Sequence, residues 1–467
     1  MKLSLADIQP WIVNAAIQGD AAKGDAANAA FDGVSTDSRS VAPSSLFVAL
    51  RGERFDAHDF LQEVAANGVA AVMVERVPQG LTVSALVVPD TRVALGELAR
   101  GWRQRFDLPV IGVTGSNGKT TVKEMIASIL KAAFGEENIL ATRGNLNNDI
   151  GVPLTVFRLE ANLKAAVIEL GMNHPGEIAT LAGIAQPVVG LVNNAQREHQ
   201  EFMESVEAVA KENGAVIQGL AADGIAVYPS DDPYTTLWRA YAGQRRSMTF
   251  GLSADADVTC TFRVNDFGSD LSITACGKHF QVKLSAAGEH NVRNALAATA
   301  CTLAIGIPQE AVIRGLQAFA PVNGRLQRKT AKNGALVIDD TYNANPDSVR
   351  AAIDVLSNTA APRMLVLGDM GEVGDEGPQF HEEIGDYARQ RGIEQLFTLG
   401  QLARHASGAF GGGAKHFDDI GLLNQAVEAG TQPNTTVLVK GSRFMKMERV
   451  VQHLVTPDSS GQVQETH

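Results

Sequence analysis

The chain has 467 residues, room for about three domains at roughly 150 residues each, and its 45% hydrophobic and 20% charged composition can fill several cores. A net charge of −12 excludes a function built on attraction to a nucleic-acid backbone, while a locally basic site for a small anion stays open. Three cysteines (Cys260, Cys276 and Cys301) lack metal-ligand spacing, the first residues lack a signal-peptide core, and no apolar run approaches the ~20 residues of a membrane span, so a cytoplasmic protein without membrane insertion is expected.

Strand-like runs at 45–50 and 69–74, with helical spacing at 94–102, predict a small α/β unit that ends at a seam near Asp107, Leu108 and Pro109. Residues 19–30, rich in Ala, Gly and Asp, read as a loop. The apolar run Val110, Ile111, Gly112, Val113 enters a glycine loop, and Val122, Met125, Ile126, Ile129 and Leu130 then follow at helical spacing. Further apolar runs at 165–170 and 188–192 predict a parallel sheet covered by helices. Residues 255–285 alternate strictly, as an antiparallel insertion or subsheet would. Beyond residue 324, runs at 336–339, 364–367, 396–399 and 437–439 are separated by helix-length segments, the pattern of a second doubly wound unit. The polar tail at 456–467 reads as frayed.

The most specific local signal is Thr114, Gly115, Ser116, Asn117, Gly118, Lys119 and Thr120, set between a strand and a helix. Glycine turns of this kind aim successive backbone N–H groups at phosphate oxygens, with Lys119 against the β- and γ-phosphates and the Thr120 hydroxyl on Mg²⁺. Val113 stands where the common motif has its first glycine, so this loop is a variant. Glu169 ends a strand of the same sheet, and a carboxylate there either reaches the loop's Mg²⁺ or is an exposed strand-end acid. His199, past another strand end, is either a second metal ligand or a solvated loop histidine. The asparagines at 145, 147 and 148 can read polar substrate groups or simply form turns.

Together these segments resemble the Mur ligase family of cell-wall peptide synthetases over essentially the whole chain. The loop, Glu169, His199, the run from Gly288 to Ala297, the pair Gly324 and Arg325, and the run from Asp339 to Pro346 occur in family order. Segments at 46–58, 144–153, 168–177 and 439–443 are similar to those of the members that join D-alanyl-D-alanine to UDP-N-acetylmuramoyl-tripeptide, and the Asp-Asn-Pro motif of the diaminopimelate- or lysine-adding members is absent. The resemblance implies an α/β protein of three domains: a UDP-sugar-binding domain at 1–107, a central P-loop-type parallel-sheet domain at 108–323 that binds ATP, and a C-terminal Rossmann-like domain at 324–467. It implies a monomeric, ATP- and Mg²⁺-dependent ligase of peptidoglycan precursor synthesis that forms an acyl phosphate from the tripeptide and couples it to D-alanyl-D-alanine.

By the same resemblance, Gly115, Ser116, Asn117, Gly118, Lys119, Thr120 and Thr121 hold ATP, with Asn291 and Asn294 on the adenine, Arg325 on the phosphates and Asp340 on the ribose. Thr120, Glu169 and His199 are the implied metal ligands, and Lys119, Glu169 and His199 the implied catalytic residues. Ser38 and Arg39 match the region that grips UDP, Asn145 and Asn148 would face the peptide-bearing substrate, and Lys440 and Arg443 would meet the dipeptide or phosphates. Many family members carry a carbamylated lysine at the second Mg²⁺. Counted from His199, its place falls on Asn213, with Lys211 two residues early, about 200° around a helix. The expectation is that no carbamate forms and that Asn213, Glu212 or water substitutes. The alternatives are another ligase of the superfamily, such as a folylpolyglutamate synthase, and an ATP-driven switch or binding protein.

Overall fold

The computed structural model describes residues 1–19, 26–52, 54–198, 200–265 and 267–455. Three larger sheets follow one another along the chain. The first has the strand order Ala16–Gln18, Ser84–Val87, Ala71–Val74, Leu46–Val48, Val34–Ser35, parallel except for its first pair. A two-stranded ribbon, Lys2–Ser4 with Ala30–Asp32, sits beside it, so the stretch expected to be a loop through residue 30 ends in a strand; residues 20–25 of that stretch lie outside the described residues. The frayed-tail expectation at 456–467 lies outside them too.

The central sheet has nine strands. Its strand β1 (Val110–Thr114), third from one edge, is wholly buried and leads into helix α1 (Lys119–Phe134), whose Val122, Met125, Ile126, Ile129 and Leu130 pack inward as their spacing requires. Strand β2 (Ala165–Glu169) pairs with β1 on one side and strand β3 (Val189–Val192) on the other, both in parallel. The carboxyl ends of these three strands meet at the switch point between β1 and β3, where the chain leaves β1 toward the edge strand Ile139–Ala141 and leaves β3 toward Ile225–Pro229 on the other side, the position at which doubly wound sheets bind ligands. The alternating segment is an extension of this same sheet: Val258–Asn265 joins it in parallel, then pairs antiparallel with Gly268–Ala275, which pairs with Lys278–Leu284. Helix α2 (Glu289–Ala304) covers one face with a nearly unbroken row of buried small residues.

The C-terminal sheet has six strands, in the order Gln327–Thr330, β4 (Leu336–Asp340), then Thr436–Lys440, Arg363–Gly368, Gln395–Leu399 and Ala414–Phe417, parallel except for the first pair. Helix α3 (Pro346–Ser357) follows β4 with proline at its first position and Asn345 as N-cap, whose Oδ1 accepts from the Ser348 N–H at 2.8 Å. Helix α4 (Gly377–Gln390) packs beside it, and strand β5 (Thr436–Lys440) closes the middle of the sheet. The whole is a three-sheet α/β protein.

The expected seam at residue 107 is tightly fastened. Buried Arg103 donates across it to the carbonyls of Ala185 (3.1 Å) and Gln186 (3.4 Å), and to those of Phe106 (2.5 Å) and Leu108 (3.2 Å). One continuous hydrophobic cluster runs from Leu3, through Leu95 and Trp102, to Val110, Ile184 and Trp238.

Candidate active site

A cleft of about 1050 Å³ lies between the central and C-terminal sheets, with the glycine loop as its floor. The loop can turn there because Gly115 and Gly118 take positive φ, +135° and +82°. A Cβ on Gly118 would lie 2.5 Å from Asn294 Oδ1 and 2.8 Å from Asn193 Nδ2, so side-chain amides occupy the space behind the turn. Asn193 Nδ2 donates to the Asn117 carbonyl (2.8 Å) and to Asn294 Oδ1 (3.0 Å), and Asn294 Nδ2 donates to Asn291 Oδ1 (3.1 Å). Asn294 therefore braces the loop from behind, and it also lines the cleft. Asn291, also buried, donates to the Ala287 carbonyl at 2.7 Å.

Lys119 folds back on its own loop. Its Nζ donates to the carbonyls of Gly115 (2.5 Å) and Ser116 (3.1 Å) and pairs with Glu198 Oε2 at 3.3 Å. A triphosphate would exchange these partners for phosphate oxygens. Thr120 Oγ1 donates to Glu169 Oε1 (3.2 Å), which also accepts from Asn147 Nδ2 (2.8 Å). Glu169 is 2% exposed and its Oε2 has no hydrogen-bond partner. An unsatisfied buried carboxylate oxygen is costly unless a cation meets it, so the pair Thr120 and Glu169 fits Mg²⁺. His199 lies outside the described residues.

The C-terminal domain touches this floor directly. Arg325 Nη2 donates to Thr120 Oγ1 at 2.9 Å, and its guanidinium stacks 4.1 Å from the Tyr342 ring centroid. Asn345 Nδ2 donates to Asn117 Oδ1 at 2.9 Å. Lys440, buried, donates to Asp340 Oδ2 at 2.5 Å and to the Asn343 carbonyl at 2.9 Å. Burial pushes the Asp340 carboxyl above the usual range, and the Lys440 ammonium pulls against it. Burial between the cleft walls, with Lys440 beside it, lowers the His290 imidazole to about 4.

Of the remaining residues singled out from the sequence, Ser116, Thr121, Asn145 and Asn148 line the cleft. Arg443 does not: its half-exposed guanidinium pairs with Glu448 at 3.2 Å, because the turn after Ser442 carries it away. Ser38 and Arg39 also lie outside the lining, and Arg39 grips Asp37 (2.8 Å), which holds that carboxyl at about 2. Asn213 is fully buried and its Oδ1 accepts from Thr114 Oγ1 at 2.7 Å, beneath the loop. Glu212 accepts from the N–H groups of Gly176 and Ile178, both at 2.8 Å, so its two oxygens serve a helix start. Lys211 is exposed and pairs with Glu207 at 2.7 Å. Of the three asparagines at 145, 147 and 148, Asn147 is the one that meets Glu169, while the roles implied by the resemblance fell on Asn145 and Asn148.

Comparison with known proteins agrees with this architecture. The family descriptions "Mur ligase family, catalytic domain", "Mur ligase middle domain" and "Mur ligase, glutamate ligase domain" match residues 30–103, 113–302 and 324–443. The UDP-N-acetylmuramoyl-tripeptide--D-alanyl-D-alanine ligase of Escherichia coli K12 is 40% identical over 446 residues, 95% of this chain and 96% of its own. The crystal structure of MurF from Acinetobacter baumannii superimposes with a TM-score of 0.90 at 34% identity, covering 97% and 98% of the two chains. That of MurF ligase from Thermotoga maritima in complex with ADP gives 0.81 at 28%, covering 90% and 96%. This chain belongs to the Mur ligase family. It is an ATP-dependent, amide-bond-forming ligase of peptidoglycan precursor synthesis.

Proposed function

We propose that this ligase joins D-alanyl-D-alanine to UDP-N-acetylmuramoyl-tripeptide, acting as a cytoplasmic monomer with Mg²⁺. The observation that carries this reading is the cleft in which Lys119 and the Thr120–Glu169 pair face Arg325 and Lys440 of the C-terminal domain. The near-full-length likeness to the E. coli ligase narrows the substrates. No helix among the described residues is long and apolar enough to cross a membrane, which is compatible with this location. The domains are taken as 1–107, 108–323 and 324–467, one for each larger sheet.

The tripeptide carboxylate attacks the γ-phosphorus of ATP, ADP departs, and an acyl phosphate forms. The dipeptide amine then adds to that carbonyl, and the tetrahedral intermediate collapses with loss of phosphate and a proton. Carboxylate and triphosphate repel, so charge neutralisation and in-line alignment are the protein's task. Lys119 turns from the loop carbonyls to the β- and γ-phosphates, and the N–H groups from Gly115 to Thr121 surround them. Thr120 and Glu169 would hold Mg²⁺, with His199 at a second ion, and the metal supplies positive charge where the phosphoryl group is transferred. Arg325 meets the phosphates, Asp340 the ribose and Asn291 the adenine. Ser38 and Arg39 hold the UDP end, and Asn145, Asn148 and Lys440 the peptide side.

The test is ADP formation by the purified protein with UDP-N-acetylmuramoyl-tripeptide, with and without D-alanyl-D-alanine. Dependence on both is expected. ADP release that ignores the dipeptide, or that a folate substrate supports equally, overturns the assignment.

A further inference from the structure

Arg197 stands in the connection after β3, next to Glu198, which holds Lys119. Its guanidinium reaches across to two helices of the C-terminal domain. Nη2 donates to Asp347 Oδ1 at 2.6 Å on α3, and Nη1 and Nη2 donate to Glu383 Oε2 and Oε1 at 2.7 and 3.1 Å on α4. Nε lies 3.2 Å from both Asp347 oxygens, and the Arg197 backbone N–H donates to Asp347 Oδ2 at 2.9 Å. The Phe380 ring centroid lies 5.4 Å from the guanidinium carbon, and Arg350 Nη1 donates to Glu383 Oε1 at 2.8 Å, so two cations balance two anions. A planar five-donor fork suits two carboxylates in a way that a lysine ammonium cannot. Burial alone would lower the guanidinium's pKa, but the two carboxylates outweigh it and raise it above its usual value.

These contacts join residues 150 and 186 positions apart, and α3 also begins with the Asn345 that touches Asn117 of the phosphate loop. Docking of α3 and α4 therefore fixes the segment that carries Glu198 at the same moment as it covers the loop. We propose that Arg197 is a positioning residue: it latches the C-terminal domain onto the Glu198 segment, so that closure over the acceptor amine is coupled to the placement of Lys119. Arg197 and Glu383 lie outside the residues that line the cleft. The latch acts on ligation and acceptor use more than on nucleotide affinity. The acceptor part rests on the dipeptide assignment above.

The test uses the full-length protein with Arg197→Met, Arg197→Lys, Glu383→Gln and the double variant Arg197→Met/Glu383→Gln. Loss of one partner of a shielded, hydrogen-bonded charge pair predicts a fall in kcat of about 30-fold in Arg197→Met, with Arg197→Lys between it and wild type. The KM for D-alanyl-D-alanine should rise by more than the Kd for ADP, measured by calorimetry, because the phosphate loop belongs to the central domain and only Arg325 and Asp340 reach the nucleotide from the C-terminal one. Small-angle scattering, which needs no substrate, should show a larger radius of gyration. Adding Glu383→Gln to Arg197→Met should cost less than Glu383→Gln costs alone, because the shared contact is already gone and only the Arg350 pair is left to lose. Unchanged kcat and scattering, a loss of ADP affinity matching the loss of kcat, or additive effects overturn the latch. If Arg197→Met fails to fold by circular dichroism, Glu383→Gln decides on the same readouts. A wild-type enzyme that ignores the dipeptide refutes the substrate assignment and leaves the scattering result to judge the latch.

Discussion

Replacing Asn147 with alanine should damage the enzyme through the Mg²⁺ site proposed at Thr120 and Glu169. The side chain makes one short bond, 2.8 Å to Glu169 Oε1, and that acceptor is a buried carboxylate whose other oxygen has no hydrogen-bond partner. The surrounding turn is held by backbone bonds that alanine keeps: Asn147 N–H to the Asn145 carbonyl at 2.7 Å, and Gly171 N–H to the Asn147 carbonyl at 2.8 Å. The loss is thus confined to orienting Glu169. A hydrogen bond to a charged group contributes about 1.5–3 kcal/mol, which is roughly 10- to 100-fold in kcat/KM if it is felt fully in the transition state. Because Glu169 left with Thr120 alone can turn away, the Mg²⁺ concentration for half-maximal rate should rise about 10-fold. The assay is amide formation against Mg²⁺ at saturating ATP. A Mg²⁺ titration superimposable on wild type would refute the claim that Asn147 orients a metal ligand.

Gly118→Ala should abolish tight nucleotide binding, because φ of +82° and a Cβ 2.5 Å from Asn294 Oδ1 force the loop to move; calorimetry with ADP checks this, and wild-type affinity would contradict it. Lys211→Met should keep activity within about 2-fold of wild type, since the Lys211–Glu207 pair is exposed and screened by solvent, and bicarbonate should not stimulate either protein. A large loss or bicarbonate rescue would restore the carbamate. His290 has a folded-state value of about 4 against an ordinary 6.5, so the unfolded chain takes up its proton first. Its contribution to stability is whole above pH 6.5 and is lost as pH falls toward 4. Denaturant midpoints across that window should therefore fall more steeply for wild type than for His290→Gln, and equal slopes would refute the shift.

The floor of the site was legible because its chemistry is local. Gly115, Gly118 and Lys119 carry their conformational demands in their spacing, and Glu169 declares itself by ending a buried strand next to β1. Which asparagine of the 145–148 run meets Glu169 depends on how the turn is folded, and alternation or spacing carries no trace of that. Asn294 is a related case: its helical position was clear, but not that the loop would settle against it. Arg197 with Asp347 and Glu383 was invisible, since residues 150 and more apart are brought together only by docking of one domain on another. The edge strand Ile139–Ala141 has three residues and no periodicity to read.

The fastening at Arg103 also bears on how the molecule comes apart. The hydrophobic cluster that starts at Leu3 passes without interruption into the central sheet, whereas the C-terminal core draws, among the described residues before 324, only buried Ala287 with partly buried Phe267 packed against it. By sheets there are three units, but by cooperative melting there should be two. Calorimetry should resolve one transition for the first two sheets together, with its midpoint raised by ADP, and a separate one for the third. A cut near residue 107 would strip the apolar side of helix Glu177–Ala185 and yield aggregates, while a fragment ending near 323 should stay folded and still bind ADP.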